Sequence, residues 1–431
     1  RARLVVVEPD ALVVRVADRY GERDLEYRSP EPVWAAPPPT LDFAAIALAQ
    51  LAAARGEDLW LDGRVSRAQL ERLDEYLQIW SVWRPDLFRR IRIAAADEVD
   101  AVAHGARGGA AMAFSGGVDA SFALAAHATG MLGRLTRSID LGVLVVGWDL
   151  RHGDRVALER AWAAARESLG AYGARCAVVS TNWKQEFCAD WFMSFTAGLA
   201  AVLHTFAGIC SAAVHATDRS YRSELGMGPY GCHTMINPLL GTPHFPLIST
   251  GGTHDRLERV AFLAAHRTLL ERLRVCYQDG AAGGNCGRCE KCIRTQLELR
   301  ACGLPTQPQF PPGLQPADVE AVTTDLEGAL RALEEAYERL PPDDVYREAL
   351  GRAVRRERLR MARQRGEAIA RVADLEAALA SAQAEREAMR VSMSWRFTAP
   401  LRALRSRIRL GVPAGAGRAP ELGGEKTARR G

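Results

Sequence analysis

Two groups of residues in this chain of 431 have the types and spacing that do chemistry. The first is Phe114-Ser115-Gly116-Gly117-Val118-Asp119-Ala120-Ser121. A short apolar run, Ala110 to Phe114, leads into it, and Phe122 to His127 continues with helical spacing, so the glycines fall at a strand-to-helix turn. At such a turn backbone N–H groups point outward unpaired and the helix dipole is positive, which together favour an anion. Glycine lets the backbone approach a ligand closely and adopt positive φ. The second group is Cys276, Cys286, Cys289 and Cys292, spaced C-x9-C-x2-C-x2-C with Gly283, Gly284 and Gly287 among them. Four thiolates gathered at that spacing suit a closed tetrahedral metal site, and sulfur ligands without a redox context favour zinc. An iron–sulfur cluster is the alternative for the same four ligands.

Ser115-Gly116-Gly117-x-Asp119 resembles the PP-loop of the N-type ATP pyrophosphatases, whose usual form is Ser-Gly-Gly-x-Asp-Ser after a first parallel strand. The resemblance implies that Ser115, Gly116, Gly117 and Asp119 surround the pyrophosphate of ATP, and that Asp119 holds Mg²⁺ or positions the nucleotide. Ala120 stands where the family has a hydroxyl, and Ser121 follows one residue later as a substitute donor. A PP-loop followed by the cysteine cluster is similar to the 7-cyano-7-deazaguanine synthases, in which four cysteines near the C-terminus hold a structural zinc. That similarity covers roughly residues 108–302 and does not extend to the substrate. It implies an enzyme that splits ATP to AMP and pyrophosphate and activates a carboxylate, amide or similar oxygen of a small molecule for attack by a nitrogen or sulfur nucleophile. The expected cofactors are ATP, Mg²⁺ and Zn²⁺. Sulfur insertion would want a reactive thiol outside the cluster, for which Cys232 is the candidate. The alternative is a nucleotide-binding module that has lost turnover and recruits partners through its C-terminal helices.

The remaining sequence must position these groups. The composition, 48% hydrophobic and 25% charged, excludes a wholly disordered chain. The longest apolar stretch, Trp191 to Ala213, is interrupted by Ser194, Thr196, His204 and Thr205, which suits a buried helix better than a membrane span. Nine cysteines with no secretory-type leader predict a reducing, cytoplasmic setting. The formal charge of +4 is uneven: from Gly351 onward there are 19 basic and 8 acidic side chains, so the basic character belongs to the tail. A nucleic-acid partner is not expected for the chain as a whole.

Residues 1–100 read as a small α+β domain: strands at Leu4 to Val7 and Leu12 to Val16, a helix from Leu41 to Arg55, and a helix from Ser66 to Ile79 with Ser66 as its N-cap. Residues 101–303 alternate strand and helix, with strands at Leu141 to Trp148, Cys176 to Ser180 and Ala212 to Ala216. This predicts an α/β fold with a parallel, Rossmann-like sheet, its ligand beyond the carboxyl ends of the strands and adenine near Trp148 and Asp149. The polar stretch from His215 to Arg256 is a candidate substrate region, and Lys291 and Arg294 would reach a phosphate if the cysteine cluster folds back on the loop. A Pro-rich linker, 304–316, precedes helices at Ala317 to Leu340 and Val345 to Met389. Val372, Leu375, Leu379, Ala382 and Met389 form an a/d seam broken at Arg386, which predicts a short coiled coil and through it a homo-oligomer. Phe397, Leu401, Leu404 and Ile408 recur at helical spacing among arginines, a basic amphipathic pattern that would lie on an anionic membrane surface. With the sequence around Ser394-Trp395-Arg396 it resembles tails of bacterial surface-polysaccharide proteins. The helical tail is expected to run over 317–410, with 411–431 disordered.

Overall fold

The computed structural model describes residues 1–100, 108–278, 284–304, 307–391 and 398. Two compact units divide the chain, Arg1–Arg358 and Leu359–Gly431. Among the described residues the first unit is built on a ten-stranded sheet: β1 (Ala2–Glu8), β2 (Ala11–Asp18), β3 (Gly21–Arg28), β4 (Leu59–Ser66), β5 (Ile93–Val99), β6 (Gly108–Ala113), β7 (Ile139–Val146), β8 (Arg175–Thr181), β9 (Cys210–Ala216) and β10 (Leu247–Thr250). Their order is β10-β9-β6-β7-β8-β3-β2-β1-β4-β5.

The half from β10 to β8 is entirely parallel. Its strands are short runs of Ala, Val, Leu and Gly buried on both faces, as a parallel sheet covered by helices requires. The chain leaves β6 towards β7 and β8, then returns to the other side of β6 for β9 and β10. The loop after β6 therefore sits where the winding reverses, the position at which open α/β sheets leave a crevice. The α/β class and the Rossmann-like sheet expected from the alternating pattern are present.

The N-terminal strands are joined to this half, edge to edge. β3 pairs antiparallel with β8 through Tyr27 with Thr181 and Arg28 with Ser180. Beyond those two pairs Asn182 extends the ladder with its side chain, donating to the Asp24 carbonyl (2.8 Å) and accepting from the Glu26 amide (3.0 Å). A single core runs underneath: α1 (Asp42–Arg55), α2 (Arg67–Trp83) and residues of the later helix Trp191–His204 all bury apolar side chains in it, among them Phe43, Ile46, Trp80, Ala197 and Leu203. Ser66 caps α2 as expected, its hydroxyl accepting from Gln69 N at 3.3 Å.

In chain order the helices that matter to the site are α3 (Val118–Ala128), α4 (Arg155–Gly170), α5 (Trp191–His204), α6 (Arg256–Leu263), α7 (Glu290–Ala301), α8 (Glu327–Arg339) and α9 (Arg347–Val391). The apolar stretch Trp191 to Ala213, expected as a buried helix, is the helix α5 as far as His204, and from Cys210 it belongs to β9. The helix expected from Ala317 to Leu340 is broken into Pro316–Glu320 and α8. Three strands escaped the sequence reading. β3 reads GERDLEYR, with only Leu25 and Tyr27 fully buried; β5 carries acidic residues; β10 is four residues long. No helix among the described residues is long and apolar enough to cross a membrane. Gly283, Pro305, the amphipathic stretch through Phe397, Leu401, Leu404 and Ile408, and the expected disordered end 411–431 lie outside the described residues.

Among the described residues three histidines are sealed in this unit. His127, between α3 and β10, faces Thr250 Oγ1 (3.0 Å) through Nε2 and accepts from Arg137 N (3.0 Å) at Nδ1. His204 and His215 face Leu240 O (3.0 Å) and Ser249 Oγ (2.7 Å). Burial pushes each imidazole down to about 4. An unfolded histidine takes its proton near 6.5, so between 6.5 and 4 the unfolded chain binds more protons than the folded one. Stability is therefore fully present above pH 6.5 and drains as pH falls towards 4. Urea titrations at pH 7 and pH 5 are expected to show a loss of about 1–2 kcal/mol per histidine, and each His→Gln variant should flatten the dependence.

Candidate functional site

The glycine turn forms as its sequence dictates. Phe114 is buried and still bonded to β7 (N to Val143 O, 2.9 Å), Ser115 leaves the sheet, and Gly117 caps α3. Gly116 has φ +75°, a conformation that side-chain-bearing residues adopt only with strain. Ser115 Oγ accepts from Gly117 N at 3.3 Å. The loop is braced from outside by Arg274, whose main-chain N–H donates to Gly116 O (2.9 Å) and whose Nε donates to Ser115 O (3.2 Å).

A cleft of about 370 Å³ opens over this turn. Ser115, Gly117 and Asp119 line it. Ser121, the expected substitute hydroxyl, does not: it is 1% exposed, on the inner side of α3. Asp149 lies on this cleft and on an adjoining hollow of about 550 Å³ lined by Gly147, Trp148, His152 and Lys184. Trp148 and Asp149, expected beside an adenine, thus lie on an open hollow that shares Asp149 with the cleft over the glycine turn.

Asp119 is held by two arginines, Arg259 Nη1 at 2.6 Å and Arg256 Nη1 at 3.3 Å. Burial by itself would raise the carboxyl, but the two guanidinium groups outweigh it and hold Asp119 below the ordinary carboxylate range. With both oxygens committed in this way, Asp119 is a poor ligand for a cation and a good anchor for arginines. Arg259, 1% exposed, spends its remaining donors on the carbonyls of Thr217, Arg219, Gly251 and His254, tying the loops after β9 and β10 to the glycine turn. Arg256 continues the network to Glu298 (2.9 Å), and Arg294 joins it through Glu290 (2.5 Å) and Glu298 (3.6 Å).

Four other cations on the cleft, Arg219, Arg274, Lys291 and Arg331, make no ion pair among the described residues. Arg274 is half-buried, and desolvation lowers its pKa against the opposing pull of the Asp149 carboxylate nearby. Lys291 packs over the Tyr277 ring at 5.1 Å, and Arg219 over the Tyr230 ring at 5.3 Å. The absence of a side chain at Gly328 leaves room for the Arg219 guanidinium, since a Cβ there would lie 2.3 Å from Nη1. Opposite the glycine turn the cleft is apolar and aromatic, with Trp191, Phe192, Phe195 and Tyr230 on one side and Leu326, Ala329 and Ala332 of the α8 region on the other. Tyr230 donates to Asp218 Oδ2 at 2.6 Å. Asp218 is exposed on the cleft wall, and desolvation by the neighbouring protein raises its carboxyl.

The cysteines come together as their spacing predicted. All four sulfurs lie within 4.8 Å of one another, with Cys276–Cys289 and Cys286–Cys292 both at 3.8 Å. Tetrahedral Zn–S bonds of about 2.3 Å place the sulfurs about 3.8 Å apart, so the cage fits a single ion without rearrangement. An iron–sulfur cluster, which interposes several irons and sulfides, needs a wider one. Amides support the thiolates: Cys289 N and Arg288 N donate to Cys286 Sγ (3.2 and 3.5 Å), and Gln278 N to Cys276 Sγ (3.4 Å). Cys276 also lines the cleft, and Lys291 and Arg294 stand on its wall, so the cluster does fold back against the loop. Cys232 is 1% exposed, and burial raises its thiol well above the ordinary value, which makes it a poor nucleophile.

Comparison with family models, with curated proteins and with solved structures found no match for this chain.

Sequence reasoning placed Ser115, Gly117, Asp119, Asp149, Lys291, Arg294 and, in the polar stretch, Asp218, Arg219, Asp255 and Arg256 on this cleft, whereas Gly116, also expected, does not line it. It missed Arg274, Tyr230, the aromatic side chains of α5, and the wall supplied by Leu326 to Glu335. Arg274 sits two residues before Cys276, and that closeness to a ligand was the one available signal.

Proposed function

We propose that the chain is an AMP-forming enzyme of the ATP pyrophosphatase type. The observation that carries this reading is the Ser115–Gly117 turn, set at the switch point of a parallel sheet under the unpaired cations Arg274 and Lys291. Backbone N–H groups at the start of α3 and these two cations suit the pyrophosphate of ATP, and the hollow beyond β7 suits the adenosine. A carboxylate or amide-like oxygen of a small molecule attacks the α-phosphorus, and pyrophosphate leaves. A nitrogen or sulfur nucleophile then forms a bond to the activated carbon, AMP leaves, and the nucleophile's proton passes to Asp218, which Tyr230 holds in place. Asp119 positions Arg256 and Arg259 and does not ligate a cation. Mg²⁺ would enter with the nucleotide, and the cysteine cage would hold Zn²⁺ as a structural ion, with Lys291 carried between two of its ligands.

The test is release of pyrophosphate and AMP from ATP and Mg²⁺ by the purified chain, in the presence of candidate carboxylates with ammonia. Arg274→Ala is expected to lower the rate about 10²–10³-fold, the loss typical of one preorganised donor to developing charge. The competing reading, a nucleotide-binding module without turnover, draws on Ala120 and on Ser121 facing away from the cleft. It predicts nucleotide binding that Arg274→Ala weakens, with no pyrophosphate released under any of these conditions.

A further inference from the structure

The second unit offers an interaction surface whose partner can be identified from charge. From residue 362 to residue 390 every side chain of α9 is exposed. Val372, Leu375, Leu379 and Met389 are each more than half exposed, which is unusual for large apolar groups arranged in a line. On a heptad frame Val372, Leu379 and Arg386 occupy a, and Leu375, Ala382 and Met389 occupy d. The flanking positions are Arg371, Ala378 and Glu385 at g, and Glu376, Gln383 and Arg390 at e.

We infer that this seam is covered by the same seam of a second copy of the chain, in a parallel, in-register coiled coil. In that arrangement each g side chain faces the e position of the following heptad on the other helix. Arg371 then meets Glu376, and Glu385 meets Arg390, and the two-fold axis repeats both pairs. Arg386, the polar residue in the seam, lies beside Glu385 of the other helix, and its long stem lets the guanidinium reach the rim. Antiparallel helices that keep all three heptads together set e against e and g against g. Glu376 would then face Gln383, and Ala378 would face Glu385, so no ion pair forms. The two g-to-e ion pairs thus favour the parallel form against the cost of placing both Arg386 side chains in one a layer, and that polar a position fixes the register.

This inference does not depend on the catalytic reading, and its test uses the full chain. Sedimentation equilibrium at micromolar concentration is expected to give twice the 47.0 kDa chain mass. A Leu375→Asp/Leu379→Asp variant should be monomeric with the melting of the first unit unchanged. Leu379→Cys should form a disulfide with its own counterpart under mild oxidation, which wild type, with nine free cysteines of its own, should not do under the same treatment. Arg371→Glu should weaken dimerisation several-fold and Glu376→Arg in the same chain should restore it. A monomeric wild type, a dimer that survives the two aspartates, or a dimer in which Leu379→Cys fails to cross-link would each overturn the inference.

Discussion

An Arg259→Met variant is expected to unfold about 3–5 kcal/mol more easily than wild type, measured as a shift of the guanidinium midpoint with little change of slope. The residue is 1% exposed, and its guanidinium is shared among Asp119 and the carbonyls of Thr217, Arg219, Gly251 and His254. Methionine fills similar volume but satisfies none of them. Four carbonyls and one carboxylate oxygen lose their donor at once, and buried polar groups without partners are what make such substitutions costly. Asp119 keeps Arg256, which limits the loss on that side. Lysine should not rescue, because a single ammonium cannot present the planar fork that spans two loops and a helix. A second readout separates this from simple packing: combining Asp119→Asn with Arg259→Met should cost less than the two singly, since the carboxylate no longer needs the guanidinium. Additive effects, or a loss below about 1 kcal/mol, would show that the network carries little of the stability of the cleft.

What could be read from the sequence follows from where the information sits. The glycine turn was legible because residues 110–127 hold its strand, its turn chemistry and its helix, all of them local. The cysteine cage was legible because its four ligands lie within 17 residues, Cys276 to Cys292, and thiolates have few other uses at that spacing. The strands β6 to β9 announced themselves as continuous apolar runs. β3 did not, because a strand joining two halves of a sheet by two residue pairs can keep its charged side chains solvated along most of its length. Arg259 reads as one more arginine of an amphipathic helix, and its five partners come from three separate places in the chain. The wall formed by Leu326 to Glu335 was hidden for a similar reason: the strong apolar face of α8, with Leu333 and Ala336, packs into its own small core, and nothing in that stretch signals that the neighbouring face looks onto a cleft.

Substitution of Cys289 by serine is expected to have the other large effect. The wild-type chain should contain one tightly held zinc, by metal analysis, and cobalt in its place should give the strong absorption of a tetrahedral thiolate site. Cys289→Ser should bring the metal content close to zero, because one weak oxygen ligand at the start of α7 breaks a closed cage. The consequence should reach beyond the cage. Cys276 fixes the segment whose Arg274 N–H bonds to Gly116 O, and Lys291 lies between the ligands Cys289 and Cys292. Losing the ion therefore removes the outer brace of the glycine turn as well as a cation of its cleft. Hydrogen exchange at Gly116, Gly117 and Arg274 should quicken in Cys289→Ser or after chelation, while strands β1 to β5, which share no side chain with the cage, keep their protection. Since folding and metal binding draw on the same free energy, the chelated protein should also unfold at lower denaturant, and added zinc should reverse the shift for wild type but not for the serine variant. Exchange at the turn that ignores the metal would show that Arg274 is held by the fold alone.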